Sequence, residues 1–341
     1  MQKTILVTGG LGYIGSHTIV ELLEKNYKVI CIDNLSNSQI VVKEWINEIT
    51  KKEFDYYNLD ICDLNAIQNC LKNYESIDAV IHFAAYKAVN ESVENPIKYY
   101  QNNLQGLISL IEAMKPFKAH FIFSSSCTVY GEPEDSPITE DANIVKPKSP
   151  YGNTKKICEE ILFDNANISS SKTTILRYFN PVGAHVTGKI GELPIGIPQN
   201  LLPYLTQTAI GKRASLTIFG NNYPTPDGTC IRDFIHVTDL ALAHIACINY
   251  MVELDSPKYS IFNIGTGKGT SVLEMVKRFE VLTNVKLPIQ FGENRVGDIV
   301  KIWASATKAE KLLKWEAKFG LDDILLSAWN WECNLKQMDL I

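Results

Sequence analysis

The sequence predicts an α/β fold, a doubly wound parallel sheet with a smaller α/β domain attached. Two observations lead to this prediction. A glycine-rich turn joins an apolar run to a helical pattern near the start of the chain, and short apolar runs then alternate with helical patterns as far as about residue 180. Such alternation is typical of a parallel sheet with helices on both faces, whose ligands lie beyond the carboxyl ends of the strands.

The first element is the glycine-rich turn, residues 9–15. It follows an apolar run that predicts a buried strand, and it leads into apolar spacing that predicts a helix. Its glycines fit a dinucleotide-binding spacing whether the first is taken as Gly9 or as Gly10. Glycine lets the backbone approach a pyrophosphate, which then faces the free N–H groups of the helix. We therefore predict a Rossmann-type dinucleotide site.

The next apolar run, Lys28–Ile32, ends in Asp33, which lies 18 residues after Gly15. This is close to the spacing of a carboxylate that accepts the ribose hydroxyls of a dinucleotide. A carboxylate there repels a 2′-phosphate, so the prediction is NAD rather than NADP. The alternative is an ordinary strand–helix turn followed by a surface aspartate; the strand, glycines, helix and acid in register favour the cofactor.

The remaining strands and helices follow in alternation. We predict strands at 54–60, 79–85, 119–124 and 173–179, and helices near 63–73, 95–115 and 149–167. After residue 180, proline and glycine become frequent, which indicates a smaller domain. A helical pattern at 237–251 and an apolar run at 259–264 then return, and that run could rejoin the large sheet. The predicted domains are 1–180 plus about 237–264, and about 181–236 plus 265–341.

Composition limits the function classes. The chain has 341 residues, with 33 basic and 38 acidic side chains and a net charge of −5, which does not favour nucleic acid or an acidic membrane as partner. No apolar run reaches a membrane span, and the first strand begins too early to leave room for a signal peptide. The eight cysteines form no C-x-x-C pair, so we expect reduced thiols, no metal site and a cytoplasmic location.

A tyrosine and a lysine four residues apart, Tyr151 and Lys155, are the candidate reacting pair. Ser149 is a plausible N-cap and Pro150 suits the first helical position, so Tyr151 is expected in the first turn. A tyrosine has a pKa of about 10. A nearby ammonium, the helix dipole and an oxidised nicotinamide would all favour the phenolate. The alternative is a packed aromatic ring beside a solvated lysine, which we would favour without the glycine turn.

Three hydroxyls, Ser124 to Ser126, end the fifth predicted strand at the ligand edge. One of them can hydrogen-bond a substrate oxygen while Tyr151 moves its proton. The alternative is that they satisfy backbone groups at the strand end, and we expect this of one or two of the three.

These motifs resemble the extended short-chain dehydrogenase/reductases. The resemblance is carried by residues 9–17, 83–89, 124–131, 151–155 and 177–184, and it continues through 200–204, 218–225, 227–229, 232–237, 295–298 and Trp303. It therefore covers nearly the whole chain. Within this family the chain looks most like the branch that epimerises UDP-glucose and UDP-galactose at C4.

The resemblance implies a set of site residues. The catalytic set would be Ser126, Tyr151 and Lys155. The residues expected to bind NAD are Gly9, Gly12, Tyr13, Ile14, Gly15, Asp33, Asn34, Asp60, Ile61, Phe83, Ala84, Ala85, Lys87, Asn102, Ser124, Tyr151, Lys155 and Tyr178. The residues expected to bind the UDP-sugar are Lys87, Ser126, Tyr151, Phe179, Asn180, Asn200, Leu201, Thr217, Phe219, Arg232, Arg295 and Asp298. The first predicted domain would then bind NAD and the second the UDP-sugar.

The reaction implied by the resemblance is reversible hydride transfer at sugar C4, through a 4-keto sugar and with tightly bound NAD, as part of galactose metabolism. Arg232 and Arg295 would form charge-assisted bonds to the diphosphate, although either could instead be a surface arginine in an ion pair. Family members pair the helices near 95–115 and 149–167, whose apolar positions exceed what one sheet face needs, so we expect a homodimer.

Three other functions remain open at this stage. A nucleotide-sugar 4,6-dehydratase would need an Asp-Glu pair where this chain has Cys127 and Thr128. An N-acetylhexosamine or uronate epimerase would share the same core. A dinucleotide-sensing binding protein should have lost Tyr151 or Lys155, and this chain keeps both.

The chain departs from the family pattern at two places. The usual Arg-Pro-Gly-Asp is replaced by residues 295–298, Arg-Val-Gly-Asp, and Ile302 stands where close bacterial relatives often carry tyrosine. By resemblance, Ile302 borders the sugar pocket near the C2 substituent. We therefore expect a wider pocket, with some turnover of N-acetyl sugars.

Overall fold

The computed structural model describes residues 2–133, 136–253, 255–295 and 298–338. Its strands are β1 (Thr4–Thr8), β2 (Lys28–Ile32), β3 (Asp55–Tyr57), β4 (Ala79–His82), β5 (His120–Ser126), β6 (Thr173–Tyr178), β7 (Asn180–Val182), β8 (Leu216–Phe219), β9 (Ile231–Arg232), β10 (Phe234–His236), β11 (Tyr259–Ile264), β12 (Thr270–Ser271), β13 (Ile289–Gly292) and β14 (Lys301–Ile302). Its helices are α1 (Tyr13–Glu24), α2 (Val41–Thr50), α3 (Leu64–Leu71), α4 (Val89–Glu94), α5 (Pro96–Met114), α6 (Pro150–Ile168), α7 (Leu201–Ala209), α8 (Val237–Val252), α9 (Val272–Thr283), α10 (Thr307–Leu313) and α11 (Leu321–Gln337). Two short 3₁₀ helices lie at Lys115–Phe117 and Cys127–Tyr130.

Seven parallel strands form the central sheet in the order β11-β6-β5-β4-β1-β2-β3. Alternate residues of β1 serve the two faces: Ile5 and Val7 belong to one apolar cluster and Leu6 to the other. Helices α1, α2 and α8 contribute to the first cluster, and α3, α5 and α6 to the second. A parallel sheet buried on both faces requires this two-sided pattern, which confirms the predicted fold class.

The apolar run predicted at 259–264 forms β11, and this strand joins the large sheet as expected. In β11, Tyr259 lies opposite Thr173 and Ile264 opposite Tyr178 of β6. The predicted bounds of the domains themselves stay a prediction. The sequence-predicted strands 54–60 and 79–85 are longer than β3 and β4, because residues after Tyr57 and His82 leave the sheet and form loops at its carboxyl edge.

A third apolar cluster packs α7, α9 and α11 against the paired strands β8 and β13. Its buried members include Leu202, Leu216, Phe279 and Ile324. Helix α11 also reaches the first cluster of the large sheet, through Trp331 and Leu335. This smaller layer holds the loops that face the carboxyl edge of the large sheet. In the described part of the chain, no helix is both long enough and apolar enough to span a membrane.

Candidate active site

The glycine turn has the close packing that a dinucleotide site needs. Gly9 has φ +68°, and a Cβ there would lie 2.8 Å from the backbone nitrogen of Ala84. A Cβ on Gly15 would collide with the Gly9 carbonyl oxygen and lie 2.7 Å from Cα of Gly10. Gly12 occupies the N-cap of α1 without a side-chain cap. The first-turn N–H groups of α1 are therefore available to an anion, and the residues present fit a pyrophosphate.

Asp33 follows β2 and is buried, with only 7% of its surface exposed. One carboxylate oxygen accepts a hydrogen bond from the Leu11 backbone N–H at 3.0 Å. The other accepts from the Leu35 backbone N–H at 2.9 Å and the Ser38 hydroxyl at 2.7 Å. The alternative of a surface aspartate is wrong. Asp33 holds the glycine turn, and a carboxylate has up to four acceptor positions, which leaves capacity for a ribose hydroxyl.

The other residues expected to bind NAD lie around the same edge. Tyr13, Ile14 and Gly15 form the first turn of α1; Asn34, Asp60 and Ile61 follow β2 and β3; Phe83, Ala84, Ala85 and Lys87 follow β4; Ser124 and Tyr178 end β5 and β6; and Asn102 lies on α5. The Asn34 side-chain amide donates to the Asp60 carboxylate at 3.2 Å. The structure thus places this predicted set, apart from Asn102 on α5, at or near the carboxyl ends of the central strands.

Tyr151 lies in the first turn of α6, as predicted. Ser149 caps this helix by accepting from the Gly152 backbone N–H at 3.1 Å, and Pro150 is its first residue. Lys155 is buried one turn later, with its Nζ donating to the Ser124 carbonyl oxygen at 2.8 Å and lying 6.0 Å from the centre of the Tyr151 ring. The alternative of a solvated lysine is therefore wrong, because α6 aims both side chains at the end of β5.

The protonation of this pair is set by burial. Burial raises the pKa of the Tyr151 phenol well above 10, and the neighbouring Tyr178 hydroxyl raises it further, while the Ser126 hydroxyl lowers it. Burial also lowers the pKa of Lys155 to about 8. In the protein alone, burial therefore opposes the phenolate, and the combined effect of the lysine, the helix dipole and an oxidised nicotinamide stays a prediction. The positive charge of an oxidised nicotinamide would act against this desolvation and favour the phenolate.

The three serines have three different partners. The Ser124 hydroxyl donates to the Tyr178 hydroxyl at 3.0 Å, and the Ser125 hydroxyl donates to the Glu159 carboxylate at 2.5 Å. The Ser126 oxygen accepts from the backbone N–H and the hydroxyl of Thr128 at 3.2 and 3.0 Å. Because Ser126 accepts both of these bonds, its own O–H remains a donor for an oxygen held near Tyr151.

The residues expected to bind the UDP-sugar come from loops at the same carboxyl edge and from the smaller layer. Lys87 follows β4, Phe179 follows β6, Asn180 begins β7, Asn200 and Leu201 begin α7, Thr217 and Phe219 lie in β8, Arg232 ends β9, and Arg295 and Asp298 lie between β13 and β14. Val296 and Gly297, which carry the departure from the family loop, lie outside the described residues.

Both candidate arginines have partners within the protein. Arg232 lies 3.6 Å from the Asp298 carboxylate and donates to the Ile299 carbonyl oxygen at 2.5 Å. The guanidinium carbon of Arg295 lies 3.9 Å from the centre of the Phe219 ring. In this structure Arg232 is therefore ion-paired, as the alternative interpretation expected. Arg295 instead stacks on Phe219, and this pair is half-exposed.

Ile302 is buried, with 2% exposed, in a small apolar cluster with Phe179, Cys127 and Tyr130. It shares this cluster with Phe179, one of the residues expected to bind the sugar nucleotide. Its effect on the pocket is therefore exerted through Phe179 and its neighbours, and the expected wider pocket stays a prediction.

Three polar residues at this edge were not predicted from the sequence. The Asn103 side chain bonds the backbone N–H and carbonyl oxygen of Tyr86 at 2.9 and 3.1 Å and the Thr154 hydroxyl at 3.0 Å. Asp233 accepts from the backbone N–H groups of Thr266, Gly267 and Ala304.

Glu192 is the third of them. Its carboxylate accepts from Lys87 at 3.1 Å and from the Asn200 side-chain amide at 2.6 Å. None of the three belongs to a short motif that marks it as functional, and their partners are distant in the sequence, so only their neighbours in space distinguish them.

Comparisons with known proteins agree on one family. A family model described as GDP-mannose 4,6 dehydratase matches residues 6–327. The UDP-glucose 4-epimerase of Bacillus subtilis is 49% identical over 330 residues, covering 96% of each chain. A crystal structure of UDP-glucose 4-epimerase from Bifidobacterium longum with NAD⁺ and UDP has a TM-score of 0.93 at 43% identity and covers 99% of this chain and 100% of that one. The Stenotrophomonas maltophila enzyme, crystallised with NAD and a formylated UDP-arabinopyranose, has a TM-score of 0.94 at 41% identity, covering 99% and 100%.

Proposed function

We propose that this protein interconverts UDP-glucose and UDP-galactose with NAD as its resident cofactor. The chain belongs to the UDP-glucose 4-epimerase family of the extended short-chain dehydrogenase/reductases. The observation that carries the proposal is the burial of Tyr151 and Lys155 beside Ser126, at the strand edge that also holds the glycine turn. Galactose metabolism is the corresponding pathway.

NAD is held, in this proposal, by the glycine turn and by the side chains around it. Glycine at 9 and 15 and the uncapped start of α1 fit the pyrophosphate, and Asp33 fits the adenosine ribose. When bound, NAD accepts a hydride from sugar C4 and later returns it, and its positive charge favours the Tyr151 phenolate. The same groups exclude a 2′-phosphate, since Asp33 would repel it.

The protein residues manage the proton and the oxygen. Tyr151 as phenolate takes the proton of the 4-hydroxyl while the C4–H bond breaks, so that a 4-ketone forms. Ser126 donates a hydrogen bond to this oxygen, and the Lys155 ammonium stabilises the phenolate. After the sugar ring has turned, Tyr151 returns the proton to the oxygen and the opposite C4 configuration results. No net oxidation occurs, so the cofactor is not consumed.

The nucleotide part of the substrate is assigned to the smaller layer. Phe219 and Arg295 present a flat, half-exposed surface. Arg232 is partly buried and makes only a long contact with Asp298, so a bound diphosphate could replace that contact with charge-assisted hydrogen bonds. Asn180, Asn200, Leu201 and Thr217 complete the proposed contacts.

A dehydratase reaction has less support, although the matching family model carries a dehydratase description. Elimination of water needs an acid and a base beside Ser126. The next two residues are Cys127 and Thr128, and burial raises the pKa of the Cys127 thiol to about 12. A thiol that stays protonated and a hydroxyl bound to Ser126 do not supply that pair.

The decisive experiment is incubation of the purified protein with UDP-galactose without added NAD. We expect UDP-glucose to appear, at an equilibrium reached from either sugar. Tyr151→Phe is the matched control, since it removes only the hydroxyl. Absence of UDP-glucose, or release of water to give a 4-keto-6-deoxy sugar, would reject the proposal.

We also propose a cytoplasmic homodimer with the two predicted domains, 1–180 plus about 237–264 for NAD and about 181–236 plus 265–341 for the UDP-sugar. The pairing is supported by apolar side chains on α5 and α6: Ile97 is 65% exposed, Ile108 42% and Phe163 48%. The eight cysteines are free thiols, which suits a reducing compartment.

A further inference from the structure

A buried ion pair lies behind the reacting residues, where the proposed reaction does not use it. Arg177 of β6 and Glu159 of α6 are 2% and 4% exposed. The guanidinium grips the carboxylate as a fork, with Nε 3.0 Å from Oε1 and Nη2 2.6 Å from Oε2. Such two-bond geometry is the strong and orientation-specific form of an ion pair.

The pair also fastens the end of β5 to α6. Consecutive residues of β5 bind consecutive turns of the helix: the Ser124 carbonyl accepts from Lys155, and the Ser125 hydroxyl donates to Glu159. Ser126, the next residue, is the proposed oxygen donor. A shift of Ser125 along β5 would therefore move Ser126 relative to Tyr151.

The other side of Arg177 is closed by an aromatic ring. Its guanidinium carbon lies 4.8 Å from the centre of the Tyr130 ring. Tyr130 ends the 3₁₀ helix that follows Ser126, and its hydroxyl donates to the Asn263 side chain of β11 at 2.7 Å. Arg177 thus touches the segments on both sides of Ser126.

The charges around Lys155 come from several elements. On α6 it faces Tyr151, Cys158 and Glu159, and on β4 it faces His82. Burial raises the pKa of Cys158 to about 12 and lowers that of His82 to about 3, so both are neutral near pH 7.

One further tyrosine, Tyr178, and the Glu159 carboxylate complete this environment. Burial raises the pKa of Tyr178 to about 12, so it is neutral as well. Glu159 raises the pKa of Lys155 against the effect of burial. Arg177 in turn balances Glu159, so the three charges together leave the site with one positive charge.

We propose that Glu159 and Arg177 are a positioning pair for the reaction, holding Ser126 in place through Ser125 and tuning the charge of Lys155. This inference rests on the proposed epimerase function. The two residues touch neither substrate nor cofactor, and they act through Lys155 and the end of β5.

The test uses two single variants that should shift the pKa of Lys155 in opposite directions. Glu159→Gln keeps the shape and removes the negative charge, so the pKa of Lys155 falls and the basic limb of the kcat profile moves to lower pH. Arg177→Met leaves Glu159 unbalanced, so the limb moves to higher pH. Each displacement should be about one pH unit. The control is Glu160→Gln, on the same helix but exposed and paired with Lys156 at 3.3 Å, which should leave the limb in place.

A double variant and a spectroscopic readout keep the test decisive if the single variants do not fold. In Glu159→Gln/Arg177→Met the limb should return toward that of the wild type, while kcat falls about tenfold or more with little change in KM, because Ser126 is no longer held. The Lys155 side-chain resonances in lysine-labelled protein, assigned by their loss in Lys155→Met, follow its titration without turnover.

The outcomes separate the two proposals. A wild-type protein without epimerase activity rejects the function, whereas the Lys155 titration still tests its electrostatic coupling to the pair. A double variant with wild-type kcat and only a lower melting temperature shows a purely structural role and overturns the inference. Single variants that move the Lys155 titration in the same direction overturn it as well.

Discussion

Replacing Asp33 by asparagine should lower both the free energy of unfolding and the affinity for NAD. Asp33 accepts bonds from two backbone N–H groups and the Ser38 hydroxyl. Asparagine keeps one acceptor oxygen and turns the other into a donor, so one buried N–H, that of Leu11 or of Leu35, loses its partner. A buried unsatisfied donor costs about 1–3 kcal/mol. Because the unfolding entropy grows with chain length, this corresponds to a fall in Tm of about 1–4 °C.

The cofactor effect adds to this loss. Losing a charged acceptor for the ribose should weaken NAD binding by about 10- to 100-fold, since a hydrogen bond to a charged group contributes about 1.5–3 kcal/mol. Because the negative charge no longer repels a 2′-phosphate, the ratio of NAD affinity to NADP affinity should also fall.

Thermal unfolding of the cofactor-free protein measures the first effect, and titration with NAD and NADP measures the second. Asp63→Asn is the matched control, because Asp63 caps α3 by accepting from the Ala66 backbone N–H at 3.0 Å and belongs neither to the glycine turn nor to the residues expected to bind NAD. An Asp33→Asn protein with unchanged Tm and unchanged NAD affinity would refute the assignment of both roles to this carboxylate.

Four further predictions follow from the site. Tyr151→Phe should fold and bind UDP-sugar but lose about 10² to 10⁴ in turnover; near-normal activity would remove Tyr151 from its role. Denaturing the purified protein should release NAD into the supernatant, and full activity in a preparation free of dinucleotide would contradict the mechanism. Light scattering at micromolar concentration should give the mass of a dimer, whereas a monomer would reject the α5–α6 pairing. Ile302→Tyr should lower kcat/KM for UDP-N-acetylgalactosamine more than for UDP-galactose, with about 1–3 kcal/mol of overpacking cost because Ile302 is buried; an unchanged ratio would leave Ile302 as a core residue.

Local sequence patterns predicted much of the large sheet and its ligand edge. The glycine turn, the N-cap Ser149 and the strand ends are short-range features, whose meaning depends on neighbours a few residues away. The helix α2 was not predicted, although Val42, Trp45 and Ile46 bury one face of it. Its pattern spans only ten residues, directly after a loop, and its packing against α1 is a tertiary fact.

The sequence did not predict the electrostatics of the site, because these depend on burial. The pKa of Tyr151 rises although a lysine lies four residues away, because the ring is removed from water and the Tyr178 hydroxyl lies close to it. Likewise, Glu159 and Arg177 are 18 residues apart in the sequence, and only the packing of α6 on β6 joins them.

The polar residues expected to meet the substrate are also bonded within the protein. Lys87 and Asn200 both donate to Glu192, and Arg232 lies beside Asp298. Binding of a UDP-sugar therefore exchanges one set of contacts for another, and its affinity is the difference between the two sets. Residue types at matching positions predict which groups meet the ligand. They do not predict the strength of the contacts that must first be released, which depends on residues such as Glu192 that the ligand motifs do not include.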